Sequence, residues 1–230
     1  MSDWIIAMES FGLRELAKAF HSDKLQDYKR LKESGLPTFD DFIIQYKDFN
    51  KRNLSLENFL AIYESFVIRA IPNTKDLPRR YKIGVHSFEE CQEFLAKNVP
   101  SGKEDKYSVF LTEHEPTNLA GVIISRPQDV LIEVAQSGLD ELSHGKVTPS
   151  VGHFAQHYYN HFKSMRYNTK DMAQRQLMWR ALQYLRKDLS SDSDLFTNTE
   201  FLKGYFEFVV TEKTSKIKFL DYKINENYLK

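Results

Sequence analysis

Cysteine is nearly missing from this chain: Cys91 stands alone, so no internal disulfide can form. The expectation is a reducing compartment and, by default, the cytoplasm. Net charge is missing too, since Lys+Arg and Asp+Glu both total 32. A nucleic-acid binder usually carries a clear basic excess, and its absence argues against that class. Nor is there any stretch near the roughly 18 unbroken apolar residues that would read as a membrane span. The segment Met1 to Phe20 is broken by Asp3, Glu9, Arg14, Glu15 and Lys18, so it shows no signal-peptide apolar core. Internal repeats and long linkers are not seen. What remains is the mix of an ordinary globular protein, 41% hydrophobic and 28% charged over 230 residues, enough to bury a substantial core.

Helical spacing is visible in Leu13, Leu16, Ala17 and Phe20, continues through Leu25, Tyr28 and Leu31, and stops at Gly35 and Pro37. A second helix is expected over Leu56 to Phe66, running into a short strand, Phe66-Val67-Ile68, that ends at Pro72-Asn73. Ser87 and Glu90 read as a capping box for a helix through Lys97. The break at Pro100-Ser101-Gly102 suggests a lobe boundary, giving lobes 1–100 and 101–230. Strands are expected at Tyr107 to Thr112, Leu119 to Ser125 and Val130 to Ala135. Helices are expected at His153 to Met165 and Asp171 to Leu189, followed by two closing strands, Gly204 to Val210 and Lys216 to Ile224.

Those closing strands contain an oddity. The Phe206, Phe208, Val210 face is apolar, and pairing it with Tyr222 and Leu220 centres the turn on Thr214. The same register sets Glu207 opposite Asp221. Like charges directly opposed on a ladder are destabilising, so something should offset them. Mg²⁺ would do so, because it takes one or two carboxylates and completes its octahedron with water and phosphate oxygens. The simpler alternative is an edge-strand Glu207, with Asp221 pairing Lys223 or Lys218 in solvent.

Two further stretches resemble a known family. Val67-Ile68-Arg69-Ala70-Ile71-Pro72-Asn73-Thr74-Lys75-Asp76-Leu77-Pro78 resembles the V-R-S-S-A-T-A-E-D-L-P segment of the nucleotide-binding domain of phosphoenolpyruvate synthase and pyruvate phosphate dikinase. Leu131-Ile132-Glu133-Val134-Ala135-Gln136-Ser137-Gly138-Leu139-Asp140, continuing to His144-Gly145-Lys146-Val147-Thr148-Pro149, is similar to that family's V-I-E-A-x-W-G-L-G-E … S-G-x-V-T-P. Lys24, before Gly35-Leu36-Pro37, stands where the family has a lysine before its G-L-P-V-P turn, and the last hairpin falls at its D-I-E-W … L-Q-A-R-P. The resemblance runs from about Lys24 to Lys223 and implies an α+β, two-lobed ATP-grasp fold with antiparallel sheets flanked by helices.

It also implies roles. Lys24 and Arg69 would clamp phosphates, and Lys223, at the family's arginine, would join them in neutralising developing charge. Glu207 and Asp221 would hold Mg²⁺, while Glu133 and Asp140 match acidic positions near the nucleotide. Leu111-Thr112-Glu113-His114 would be the inter-lobe hinge, with Glu113 and His114 offering backbone groups to adenine. The cofactors implied are ATP and Mg²⁺. The activity implied is a phosphotransferase or ligase, kinase-like, acting on a protein or small-molecule acceptor supplied in trans; neither nucleic acid nor membrane is an expected partner.

The departures cut the other way. Arg79-Arg80-Tyr81-Lys82-Ile83-Gly84 replaces the family's S-F-A-G phosphate loop, Ala70-Ile71 replaces two serines, and Lys223 cannot reproduce an arginine fork. The family's phosphohistidine domain and pyruvate-binding barrel are not in this sequence. A catalytically degenerate nucleotide-binding or protein-interaction module is therefore the alternative. His153, His157 and His161 share one face of the expected helix, a spacing that can bind a transition metal, but no carboxylate accompanies them. Cys91 has no local histidine partner and reads as an ordinary half-buried thiol.

Overall fold

A computed structural model describes residues 24–74, 76–136, 138–143, 145–156, 162–188 and 199–224. It is an α+β protein whose sheets are antiparallel throughout and flanked by helices. The chain divides into two compact units: Phe39–Pro116 forms one, and the remaining described residues form the other. The turn at Pro100–Gly102 lies inside the Phe39–Pro116 unit.

The Phe39–Pro116 unit is built on β1 (Asp41–Gln45), β2 (Phe66–Pro72), β3 (Arg80–Val85) and β4 (Tyr107–Glu113), in the order β1-β4-β2-β3. Alternation sets the core face. Phe66, Ile68 and Ala70 of β2 turn inward with Tyr107, Val109 and Leu111 of β4. Helix α1 (Lys24–Glu33) belongs to the other unit, and α2 (Tyr46–Phe49), α3 (Leu54–Ile62) and α4 (Phe88–Asn98) belong to this one. Asn53 caps α3 by accepting from the Leu56 amide, and Ser87 caps α4 by accepting from the Glu90 amide at 3.2 Å, as the capping pattern required. Phe49, Phe88 and Leu95 complete this core. β3 is a correction to the sequence reading, which treated Arg79–Gly84 as a loop. Its residues Arg80 to Ile83 are all exposed, so no apolar alternation betrays it.

The other unit carries a six-stranded sheet of β5 (Thr117–Ser125), β6 (Asp129–Ala135), β7 (Ser150–Gln156), β8 (Phe162–Tyr167), β11 (Gly204–Thr211) and β12 (Ile217–Lys223), ordered β12-β11-β5-β6-β7-β8. A short pair, β9 (Arg186–Asp188) with β10 (Thr199–Phe201), stands apart from it in hydrogen bonding. Helices α5 (Leu139–Ser143) and α6 (Met172–Tyr184) follow β6 and β8. Asp171 caps α6 through the amides of Ala173 and Gln174. Leu177, Met178, Ala181 and Leu182 of α6, with Leu31 of α1, cover the Ile123, Ile132, Phe154, Phe206 face. Gly121 sits where any Cβ would come within 2.1 Å of the Phe208 ring, so glycine is what allows this ring to lie flat on β5.

The helix expected over His153 to Met165 is not formed: β7 and β8 occupy its two ends. Gly152 and Phe154 face the core side while Val151 and His153 face away, a period of two that small residues at 152 and 155 conceal.

Candidate functional site

The polar face of the six-stranded sheet is fixed by register. Glu207 pairs with Asp221 on one side and Val122 on the other, and Val122 pairs with Glu133. Two residues along, Tyr205 pairs with Lys223. Strand alternation therefore places Glu133, Glu207, Asp221, Tyr205 and Lys223 on the same face.

A β-bulge makes this arrangement possible. Phe208 pairs with Phe219, not with Leu220 as the unbroken register would have it, because the ladder shifts between Glu207 and Phe208. Leu220 is the extra residue, and it reverses the in–out alternation along β12. Before it, Ile217 and Phe219 point into the core; after it, Tyr222 does, leaving Asp221 and Lys223 on the face that holds Glu207. In an unbroken ladder that kept Leu220 in register, Phe219 and Tyr222 would fall on opposite faces and could not both be core residues.

Asp221 is only 2% exposed. The Lys223 ammonium lies 3.0 Å from its Oδ2, and the lysine side chain is itself 12% exposed. That ammonium also sits over the Tyr205 ring, 5.3 Å from its centre. The Tyr205 hydroxyl donates to Glu207 Oε1 at 2.9 Å. Burial foremost, then the Glu207 charge and hydrogen bond, then Asp221 and Glu133, hold the Tyr205 proton far above its ordinary range. Three carboxylates are thus felt at one phenol. The repulsion between Glu207 and Asp221 is met by Lys223, but as a buried pair and not in solvent. Lys218 donates to the Thr38 carbonyl at 2.9 Å.

Tyr205 is the residue that sequence reasoning missed. The signal was present: it is two residues before Glu207 on the same strand, and its ladder partner is Lys223.

Hard carboxylate oxygens from Glu207, Asp221 and Glu133 are the donor type that Mg²⁺ takes, and the negative potential at Tyr205 fits a cation nearby. Among the described residues, no group of three or more His, Cys, Asp or Glu is drawn together tightly enough to form a metal cluster by itself.

The other candidates stand on other elements. Arg69 projects from β2 on the side opposite Ile68 and Ala70, donates to Thr112 Oγ1 at 2.8 Å and lies 5.6 Å from the Phe110 ring centre. Glu113 ends β4 and His114 follows it. The Glu113 amide donates to the Asp40 carbonyl and the His114 amide to the Ser65 carbonyl, so both N–H groups serve their own unit. His114 Nδ1 is 3.0 Å from Ser65 Oγ, and burial, with a smaller push from His86, lowers its pKa. Asp140 lies on α5 and Lys24 opens α1; both side chains fall outside the described residues.

His153 is accounted for structurally. Its Nε2 is 2.9 Å from Asp129 Oδ2, and Asp129 also receives the Arg126 fork at 2.7 and 2.8 Å. His157 and His161 lie outside the described residues. Cys91 is buried, and desolvation above all pushes its thiol up to about 12.

No known protein family matches the chain, and no curated protein matches it. Solved structures do. The chain is similar to the D-alanine-D-alanine ligase from Coxiella burnetii at 9% identity and a TM-score of 0.40, over 87% of this chain and 46% of that one. It is similar to the macrocyclase MdnB from Microcystis aeruginosa at 15% identity and a TM-score of 0.39, over 90% and 53%. A Chryseobacterium gregarium RiPP-associated ATP-grasp ligase, solved with ADP and a leader and core peptide, aligns at 9% identity and a TM-score of 0.41, over 86% and 50%. The chain spans about half the length of these proteins. Among the described residues, no helix is long and apolar enough to cross a membrane.

Proposed function

We propose that the chain is an ATP-grasp-type protein that binds ATP with Mg²⁺ and supports phosphoryl transfer or ligation on an acceptor supplied in trans. The observation that carries this is the register of the last hairpin: Glu207 stands opposite Asp221 with Glu133 on the same face. A fold gains nothing in stability from facing carboxylates across a ladder, whereas a polyphosphate site needs a place for its counter-ion.

The residues divide by chemistry. Glu207, with Asp221 and Glu133, would hold the metal, and the metal when bound would neutralise phosphate charge. Tyr205 keeps its proton and fixes the orientation of the Glu207 carboxylate. Lys223 brings a positive charge to the same face. Arg69 offers a guanidinium for a phosphate, held by Thr112, and Lys24 would be a phosphate clamp as the sequence resemblance implies. Catalysis of this type is mostly positioning and electrostatic stabilisation, so no strongly reactive side chain is required. Glu113 and His114 would contribute to adenine binding through groups other than their engaged amides. Asp140 would lie near the nucleotide, as the sequence resemblance implies.

The second reading, a nucleotide-binding or protein-interaction module without turnover, is favoured by one observation: Lys223 already occupies Asp221. Titration with Mg-ATP, followed by calorimetry and thermal unfolding, tests the first reading on wild type and Glu207→Gln. Saturation at 100 times the dissociation constant should stabilise wild type by about 2.7 kcal/mol, with the magnesium-dependent part lost in the variant. A wild type that responds to no nucleotide would end the proposal. Binding in wild type without turnover on any acceptor would favour the module.

A further inference from the structure

We infer that the outer edge of β3 is a docking strand for a partner polypeptide. It takes an extended peptide segment, acidic on one side and apolar on the other, which adds to the Phe39–Pro116 sheet as a further strand. Such a segment would dock whether or not nucleotide is bound.

An open ladder is the first ground. β3 pairs with β2 on one side only and ends the order β1-β4-β2-β3. Arg80, Tyr81, Lys82 and Ile83 are all exposed, and among the described residues no backbone group of these four bonds beyond β2. An edge of this kind offers main-chain donors and acceptors to an incoming strand.

The sorting of side chains is the second ground. Ile83 pairs with Val67 and Val85 with Phe66, so Gly84 is an extra residue between them, held at φ 70°. That bulge lets Val85 turn into the core while Tyr81 and Ile83 stand on the opposite face, beside Arg69 and Val67. Tyr81 is 61% and Ile83 55% exposed, so apolar surface lies along the open edge. Arg80 and Lys82, the ladder partners of Ala70 and Ile68, take the side of α4.

Charge is the third ground, and it selects the occupant. Lys82 is 3.6 Å from Glu90 of α4, with both side chains partly exposed. Among the described residues, no carboxylate lies within ion-pair distance of Arg79 or Arg80. Asp76, the acidic residue between β2 and β3, is bonded to the Thr74 hydroxyl and lies in the field of Lys106 and Lys103. Pairing β3 with its copy in a second chain would set basic residues against each other, which a ladder disfavours. An acidic strand is matched by Arg80 and Lys82, and its alternate apolar residues cover Tyr81 and Ile83.

The probes are two short fluorescent peptides, one alternating glutamate with valine and one alternating lysine with valine. Each is titrated into the nucleotide-free full chain and followed by anisotropy and by amide hydrogen exchange. The glutamate peptide should bind and slow exchange at residues 80–83, and the lysine peptide should not bind. N-methylating every residue of the glutamate peptide removes the donors a ladder needs and should abolish binding. Arg80→Glu combined with Lys82→Glu should weaken the glutamate peptide about tenfold, the worth of two exposed ion pairs turned repulsive, and reverse the preference. Should that variant fail to fold, added salt carries the same expectation of weaker binding on wild type. Equal binding of both peptides, binding that survives N-methylation, or slowed exchange confined to other strands would overturn the inference. So would a wild type that binds neither peptide.

Discussion

Tyr205 shows how much one side chain can report. Its hydroxyl serves Glu207 and its ring serves Lys223, so it links a carboxylate and an ammonium that are not direct ladder partners. Because burial and nearby carboxylates raise its folded-state pKa, the folded protein keeps the phenol neutral where the unfolded chain ionises it. The stability this contributes is fully present below about pH 10, the ordinary value for tyrosine, and is lost as the pH rises further. Tyr63, pushed up to about 12 chiefly by burial and then by Asp40, acts in the same direction. The urea midpoint should therefore fall between pH 9.5 and 11, roughly astride that ordinary tyrosine value. Tyr205→Phe should flatten the fall and lower stability at pH 8 by about 1–2 kcal/mol, the worth of a hydrogen bond to a charged group. An unchanged slope in the variant would mean that other tyrosines set the alkaline limit.

At the level of elements, β12 is governed by its one extra residue. Deleting Leu220 would restore strict alternation and, with Phe219 kept inward, would leave Tyr222 in the core and Asp221 and Lys223 on the polar face. The deletion should therefore shift the denaturation midpoint about as much as Leu220→Ala, for which about 1 kcal/mol is expected. A loss of about 3–5 kcal/mol on deletion, the cost of burying charges away from their partners, would show that Asp221 and Lys223 leave the polar face without Leu220. The hairpin was largely legible in the sequence: the Phe206, Phe208, Val210 face and the Glu207–Asp221 opposition follow from alternation alone. The bulge was not, because Phe219 and Leu220 are both apolar and only packing decides which one turns inward. β7 was misread for a different reason. His153, His157 and His161 imitate a helical face, while glycine and alanine at 152 and 155 erase the strand's own contrast. β3 was hidden because an exposed edge strand has no core face to declare. Of the candidate site, Glu133, Glu207, Asp221 and Lys223 share one face, and the register that sets Glu207 opposite Asp221 also set Tyr205 opposite Lys223, while the hydroxyl bond to Glu207 and the ring under the ammonium needed the packed side chains.

For the molecule as a whole, the Phe39–Pro116 unit has its own core, centred on Phe49, Phe66, Ile68, Tyr107 and Leu111. Expressed alone, residues 39–116 should unfold in one cooperative transition and give dispersed amide resonances. A spectrum collapsed into the random-coil region would show that this core needs the rest of the chain. The ladder between β1 and β4 adds a topological consequence. Asp41 pairs with Thr112, so the segment leaves and rejoins the chain at neighbouring points. A stretch of gene with that property can be inherited as a cassette, gained, exchanged or trimmed by recombination without rethreading the sheet that bears Glu207 and Lys223.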